Sequence, residues 1–459
     1  MVGMFSFNEQ RSDLSQSCTP EGGRQPALTL TWALCCTAAV AFGLILVPEC
    51  AAAQIEFERK PIDYQNAPVE DRVWQLSQQL ESGEVTLEYD PQRGYLPAVL
   101  KALDVPVSSQ VLVFSRTSLQ IRRISPRTPR ALYFDDETYV GWVPGGDVIE
   151  LMGTDPQQGE IFYTIDQDPE HPARILRDRG QCLICHASSR TQGVPGVLMR
   201  SVFADSRGQP QLGSGTFNID HRSPIENRFG GWYVTGTHGD MRHMGNAISR
   251  DRGAPQEIDR DAGANVTDLT GRFDVSQYLS SHSDLVALMV LAHQTQVHNY
   301  LTLANYESRL SRHHDGIMNA ALDRPEDYVS DTTKRRIASA GEKLVKYMLF
   351  CDEAPLSAPI AGTSTFAREF QARGPRDSQG RSLRDLDLET RLLKYPCSYL
   401  IYSPSFDALP PAAHNYVTGR LREILTGEDD SEDFDHLTAE DRQAILEILT
   451  ETKPDLWKD

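Results

Sequence analysis

The chain has 459 residues, 40% of them hydrophobic, with 45 basic against 64 acidic side chains and a formal net charge of −19. That length allows two or three compact units, and the hydrophobic content, with no long low-complexity tract, excludes a largely disordered chain. The acid excess excludes nucleic acid as a partner and suits solubility or docking on a basic patch of another protein.

In chain order, the first predicted element is an apolar stretch from Ala27 to Val47, followed by Ala51-Ala52-Ala53-Gln54. A small-residue A-x-A site after such a stretch predicts a signal peptide in residues 1–53, cut before Gln54. The same 21 residues are long enough to remain as an uncleaved anchor. Both readings export the chain from residue 54 onward, so a periplasmic location is expected, with membrane contact only where residues 27–47 stay attached. Without residues 1–53 the chain keeps 43 basic and 60 acidic side chains, a net charge of −17.

Val69, Val73, Leu76 and Leu80, with Pro68 near the start and Gly83 past the end, predict an amphipathic helix over 68–82. Short β-rich runs follow at 111–114, 131–134, 139–143, 148–151 and 161–165. Turn-prone Asp135-Asp136, Gly145-Gly146 and Asp155-Pro156 separate the later runs and predict an antiparallel meander. Residues 171–275 are rich in Gly, His and Arg, and helices are expected over 283–304, 334–350, 411–425 and 439–450. The expected class is α+β: a β-rich unit over 54–170, a central segment over 171–275 and a mainly helical region over 276–459. Acidic Glu428 to Asp435 faintly resembles a calcium loop, but Phe434 stands where the sharp turn needs Gly. Thr438 as a helix cap is the simpler reading.

The strongest chemical signal is Cys182-Leu183-Ile184-Cys185-His186. Two thiols three positions apart on a helical turn can each bond one haem vinyl group, and the following histidine then reaches the iron. The spacing is that of c-type attachment, and export agrees with this reading, because c-type haem is attached outside the cytoplasm. A thioredoxin-like redox pair would need a βαβ context, and a zinc site would need a second ligand pair; the sequence offers neither. Cys351 and Cys397 form a disulfide or remain two buried thiols.

On this motif the chain resembles a c-type cytochrome. The stretches PRALYFDDETYVGWVPGG, CLICHASSRTQGVPG, GGWYVTGTHG and GRSLRDLDLETRLLKYPCSYLIYS also resemble an exported bacterial family of single-haem proteins with no assigned activity. The resemblance implies one covalent haem c, with Cys182 and Cys185 as attachment points and His186 as the iron's proximal ligand. It implies no substrate.

The iron's other axial position separates an electron carrier from a haem enzyme. His238, Met241, His243 and Met244 are the distal candidates, with Met199 and His221 behind them; the competing reading is a Gly-rich loop whose histidines cap turns. His293 and His298 lie five residues apart on one predicted helix, about 140° from each other, so they cannot grip one metal together. Arg200, Arg222, Arg228 and Arg242 are candidates to pair with the haem propionates. The expected function is one-electron transfer with a redox protein partner. The alternatives are a haem enzyme with an open or displaceable distal site, peroxidase-like or a small-molecule oxidoreductase, and a haem-bearing subunit or sensor.

Overall fold

The computed structural model describes residues 56–458, so the predicted export segment lies outside the described residues. Among the described residues no helix is long and apolar enough to cross a membrane.

The first helix, α1, runs Arg72–Ser82 rather than from residue 68, because Asp71 caps it: its carboxylate accepts from the backbone N–H groups of Val73 and Trp74. Gly83, at φ 76°, ends it in the left-handed conformation that glycine tolerates best. A shorter helix, α2 (Leu96–Ala102), follows. Six strands then alternate with turns: β1 (Val111–Val113), β2 (Arg130–Phe134), β3 (Thr138–Trp142), β4 (Val148–Asp155), β5 (Gly159–Asp166) and β6 (Ile175–Arg177). The turns have the expected chemistry. Asp135 accepts from the N–H groups of Glu137 and Thr138, and Asp155 does the same for Gln157 and Gln158.

These strands pair antiparallel in the order β6-β5-β4-β3-β2-β1, and a seventh, β9 (Trp232–Tyr233), adds beside β1. Register sorts the side chains onto two faces. Tyr133, Val140, Leu151 and Tyr163 stand opposite one another in a row and pack with Val73, Leu76, Leu96 and Val99 of α1 and α2. The next row, Phe134, Tyr139, Met152 and Phe162, looks the other way. Phe134 and Tyr139 share a core with the C-terminal helices. All five residues of β3 are buried, as expected for a strand covered on both faces.

Three elements lie between β6 and β9: a one-turn helix, α3 (Leu183–His186), and the hairpin of β7 (Arg200–Val202) and β8 (Thr216–Asn218). The C-terminal region is helical, with α4 (Leu285–Ala321), α5 (Asp331–Met348), α6 (Phe366–Ala372), α7 (Pro411–Thr426) and α8 (Ala439–Thr452). Thr438 caps α8 as expected, in a reciprocal capping box with Asp441. In the acidic stretch before it, Asp429 forms an ion pair with Arg420.

From Leu285 to Tyr306, α4 is buried at every position except Gln296 and Leu303, the mark of a central helix rather than a surface one. It runs 17 residues beyond the predicted end at 304 because α5 packs along its polar second half. Arg336 pairs with Glu307, and Thr333 donates to the Ser311 carbonyl. Its start is fixed by Asp284. One carboxylate oxygen accepts from Val286 and Ala287, and the other from the backbone of Thr363 and Ser364 and from the Ser364 hydroxyl.

Asp284→Ala should therefore cost more than an ordinary cap, about 2 kcal/mol or above, read as a lowered midpoint in urea unfolding. A second test concerns Glu160, fully buried on β5 with one carboxylate oxygen bonded to the Thr154 hydroxyl and the other unpartnered. Burial pushes its carboxyl up to about 8, against the Thr154 hydrogen bond and with help from Asp71 and Glu137. Its folded value lies above its unfolded one, so its contribution is intact below pH 4.5 and is lost as pH rises through 8, at about 1.4 kcal/mol per pH unit. Glu160→Gln should remove that slope from a series of urea titrations between pH 5 and 8.

Candidate functional site

The Cys182 to His186 motif enters its turn from a loop tied by Asp178, whose carboxylate accepts from the N–H groups of Gly180 and Cys182. The His186 N–H then donates to the Cys182 carbonyl, closing one helical turn. Cys182 is half-buried, Cys185 is exposed, and neither is in a disulfide. Ile184 between them is 81% exposed, the most exposed large apolar side chain among the described residues.

His186 is held at two points by one residue. The Gly196 N–H donates to the His186 carbonyl at 2.8 Å, and the ring Nδ1 of His186 lies 2.9 Å from the Gly196 carbonyl oxygen. A carbonyl oxygen can only accept, so Nδ1 carries the proton and Nε2 keeps its lone pair. Burial holds the imidazole below its usual value, which favours the neutral, ligating form. Gly196 is itself positioned through its neighbour. Asn299 of α4 accepts from the Val197 N–H at 2.8 Å and donates to the Val197 carbonyl at 2.9 Å. A Cβ on Gly196 would lie 2.1 Å from the Asn299 side-chain oxygen, so only glycine fits.

The floor under the motif is the sheet face that carries Phe162, whose ring lies 4.9 Å from that of His186. On the same face Arg130 of β2 crosses β3 to pair with Glu150 of β4. The crossing exists because Gly141 has no side chain: a Cβ there would meet the Arg130 guanidinium at 2.2 Å. Arg130 lowers the His186 imidazole value and Glu150 raises it, both after the larger effect of burial.

The structure also weighs the other readings of the two cysteines. Burial and then Asp178 push the Cys182 thiol up to about 12, the reverse of the depressed thiolate that drives disulfide exchange. Among the described residues no group of three or more His, Cys, Asp or Glu is placed to hold a metal ion. Cys351 and Cys397 are buried free thiols, each pushed up to about 12 by burial.

None of the four distal candidates is brought into hydrogen-bond or ring contact with His186. All four are buried. Their loop is stitched to the start of α4, where Thr235 donates to Ser283 and Leu285 donates to Thr235. Asn299 lies 14 residues further along the same helix, about 21 Å by its rise. His238 accepts the Asn265 N–H on Nε2, and His243 accepts the Gly245 N–H on Nδ1. Each ring thus uses its lone-pair nitrogen on backbone and presents a protonated one. Met244 sulfur accepts from the Ser201 hydroxyl, and Met241 packs in the main core. Met199 is a core residue too.

His293 and His298 face apart as expected: His298 donates to the Asp136 carbonyl, whereas His293 contacts Ser398 and His221. The His221 and His293 rings, 2.8 Å apart at Nδ1, are stacked against Tyr347 and Phe350 in a fully buried array. Sequence reasoning did not find this pair, since 72 residues separate its members. It also missed Gly196 and Asn299; the only signal was a Val-Pro-Gly turn a few residues after the motif. Of the four candidate arginines, Arg222 pairs with Asp220, Arg242 with Asp261, and Arg228 is buried against the carbonyls of Ser223 and His221. Arg200 has no ion-pair partner among the described residues and lies within electrostatic reach of Cys185.

Compared with known proteins, the chain matches no family model, no curated protein and no solved structure.

Asn299→Leu leaves the Val197 N–H and carbonyl without partners and should cost about 2–4 kcal/mol. In the same variant ¹⁵N NMR of His186, fixed as the Nδ1–H tautomer in the parent protein, should report a mixture of tautomers.

Proposed function

We propose that this chain is an exported c-type haem protein that transfers single electrons, with one haem joined through thioether bonds to Cys182 and Cys185 and ligated by His186. The observation that carries the reading is the hydrogen bond from His186 Nδ1–H to the Gly196 carbonyl. A metal-ligating histidine needs its second nitrogen anchored in this way, which sets the tautomer, the ring orientation and the basicity of the ligating nitrogen. Two reduced thiols on the same helical turn and the exposed apolar Ile184 beside them suit a surface that a porphyrin would cover.

Bound haem supplies the Fe(III)/Fe(II) couple. The chain's own part is to tether it at Cys182 and Cys185, to present His186 Nε2, to hold that ring through Gly196 and Asn299, and to wall it with Phe162. The acidic surface suits a redox partner with a basic docking patch.

A second reading is favoured by one observation, that His238 and His243 use their lone pairs on backbone while both methionines pack elsewhere. It is a haem enzyme, or a sensor or haem-bearing subunit, whose distal position is open or displaceable.

Replacing Cys182 and Cys185 by Ala should abolish haem that survives denaturation; colour retained through denaturation in that variant defeats the proposal. The reduced protein, produced with a haem-attachment system, should give a low-spin c-type spectrum unchanged by carbon monoxide if it is an electron carrier. A prompt shift on adding the gas puts the open-site reading ahead.

A further inference from the structure

The connection from β1 to β2 carries a charge opposite to that of the chain as a whole. Residues 115–130 hold five arginines, Arg116, Arg122, Arg123, Arg127 and Arg130, and no acid, in a chain of net charge −19. Arg130 is taken by Glu150 and Arg123 by the exposed Asp147, while Arg116 donates through Nε to the Ile124 carbonyl. Arg122 and Arg127 are exposed, and neither side chain has a hydrogen bond or ion pair among the described residues.

The same loop exposes two large aliphatic side chains, Leu119 at 53% and Ile121 at 49%. Their exposure is built into the loop. Gln120 between them is buried: its side-chain oxygen accepts from the Asp147 N–H at 2.9 Å, and its amide donates to the Val148 carbonyl at 3.0 Å. These bonds pin the loop to the turn before β4, where a Cβ on Gly146 would lie 2.7 Å from the Gln120 oxygen. Further on, Ile124 is fully buried, Ser125 and Thr128 pair through their backbones, and the Pro126 carbonyl accepts from the Tyr233 hydroxyl. With Gln120 drawn inward, its two neighbours are left outside.

A fixed loop that shows two aliphatic side chains beside unpaired arginines fits an anionic lipid surface. The apolar ends leave water at the acyl boundary, and the planar guanidinium donors suit lipid phosphate. A protein partner is met more often by aromatic side chains at the centre of a patch, and residues 115–130 hold none. The chain's overall negative charge does not cancel the attraction, because at physiological salt charges more than about 8 Å from the contact are largely screened.

We propose that the β1–β2 loop is a membrane-docking surface, in which Leu119 and Ile121 enter the interface of a bilayer containing anionic phospholipid while Arg122 and Arg127 bind lipid phosphates. The contact is separate from any anchor formed by residues 27–47 and does not rest on the haem reading. Two arginines and two aliphatic tips give a weak, reversible attachment.

The test sediments the full protein with vesicles of phosphatidylcholine, either alone or with about one third phosphatidylglycerol, at low and high salt. Three forms are compared: the parent, Arg122→Gln with Arg127→Gln, and Leu119→Ser with Ile121→Ser. All four positions are exposed, so circular dichroism of the variants should match the parent. The parent should bind the anionic vesicles more tightly than the neutral ones and lose that preference at high salt. The arginine variant should bind the anionic vesicles about thirtyfold less tightly, at about a factor of five for each arginine near such a surface. The aliphatic variant should lose about tenfold. Binding through residues 27–47 contributes equally to all three forms and drops out of the comparison. Equal binding of the parent to both vesicles, or variants that bind as the parent does, would overturn the proposal. So would binding to poly-L-glutamate that the arginine variant loses, coupled with no effect of the aliphatic variant on vesicles, which assigns the loop to an acidic protein surface instead.

Discussion

A helix buried on every side must find a partner for each polar group it carries, and α4 is such a helix over its first six turns. Its interior polar side chains are the joints of the molecule. Gln294 bonds Asp135, Tyr139 and Tyr399; His298 bonds Asp136; His293 bonds Ser398 and His221; Asn299 bonds Val197. Each contact ties the helix to a segment distant in sequence. The sheet turn at residues 135–136, the loop after the cysteine motif and the segment at 398–399 are all registered against one axis. An apolar helix in the same place would bury comparable area without specifying what lies next to it.

The chemistry at His186 follows from that constraint. The ring's orientation is set by Gly196, the loop carrying Gly196 by Asn299, and Asn299 by the burial of α4. Phe162 completes the arrangement, because the period of two along β5 turns its ring to within 4.9 Å of His186 while Tyr163 and Ile161 point to the other face of the sheet. The Arg130–Glu150 pair lies on the same sheet face, where Gly141 leaves room for it. A histidine on a one-turn surface helix would otherwise be free to rotate and to change tautomer.

Much of the architecture was legible in local pattern. The five strand runs, their turns, the caps at Gly83 and Thr438 and the four main C-terminal helices all follow from hydrophobic period and from Asp and Gly at turns, which act over a few residues. The misplaced boundaries have physical causes. The first helix starts at Asp71 because its carboxylate stops the chain there, and α4 continues past residue 304 because α5 supports a polar stretch that has no apolar stripe of its own. The strands β6 to β9 are two or three residues long, too short to show a period. They are strands only because a neighbour supplies the hydrogen bonds.

The sequence by itself determined the α+β class, the antiparallel meander and the position of the one motif with ligand spacing, since each is written in side chains near one another along the chain. The tertiary structure alone decided which histidine nitrogen is free, which glycine and asparagine hold it, and that none of His238, Met241, His243 and Met244 contacts His186. These facts depend on which backbone carbonyls, N–H groups and charges arrive from distant segments, and no local pattern encodes that arrival.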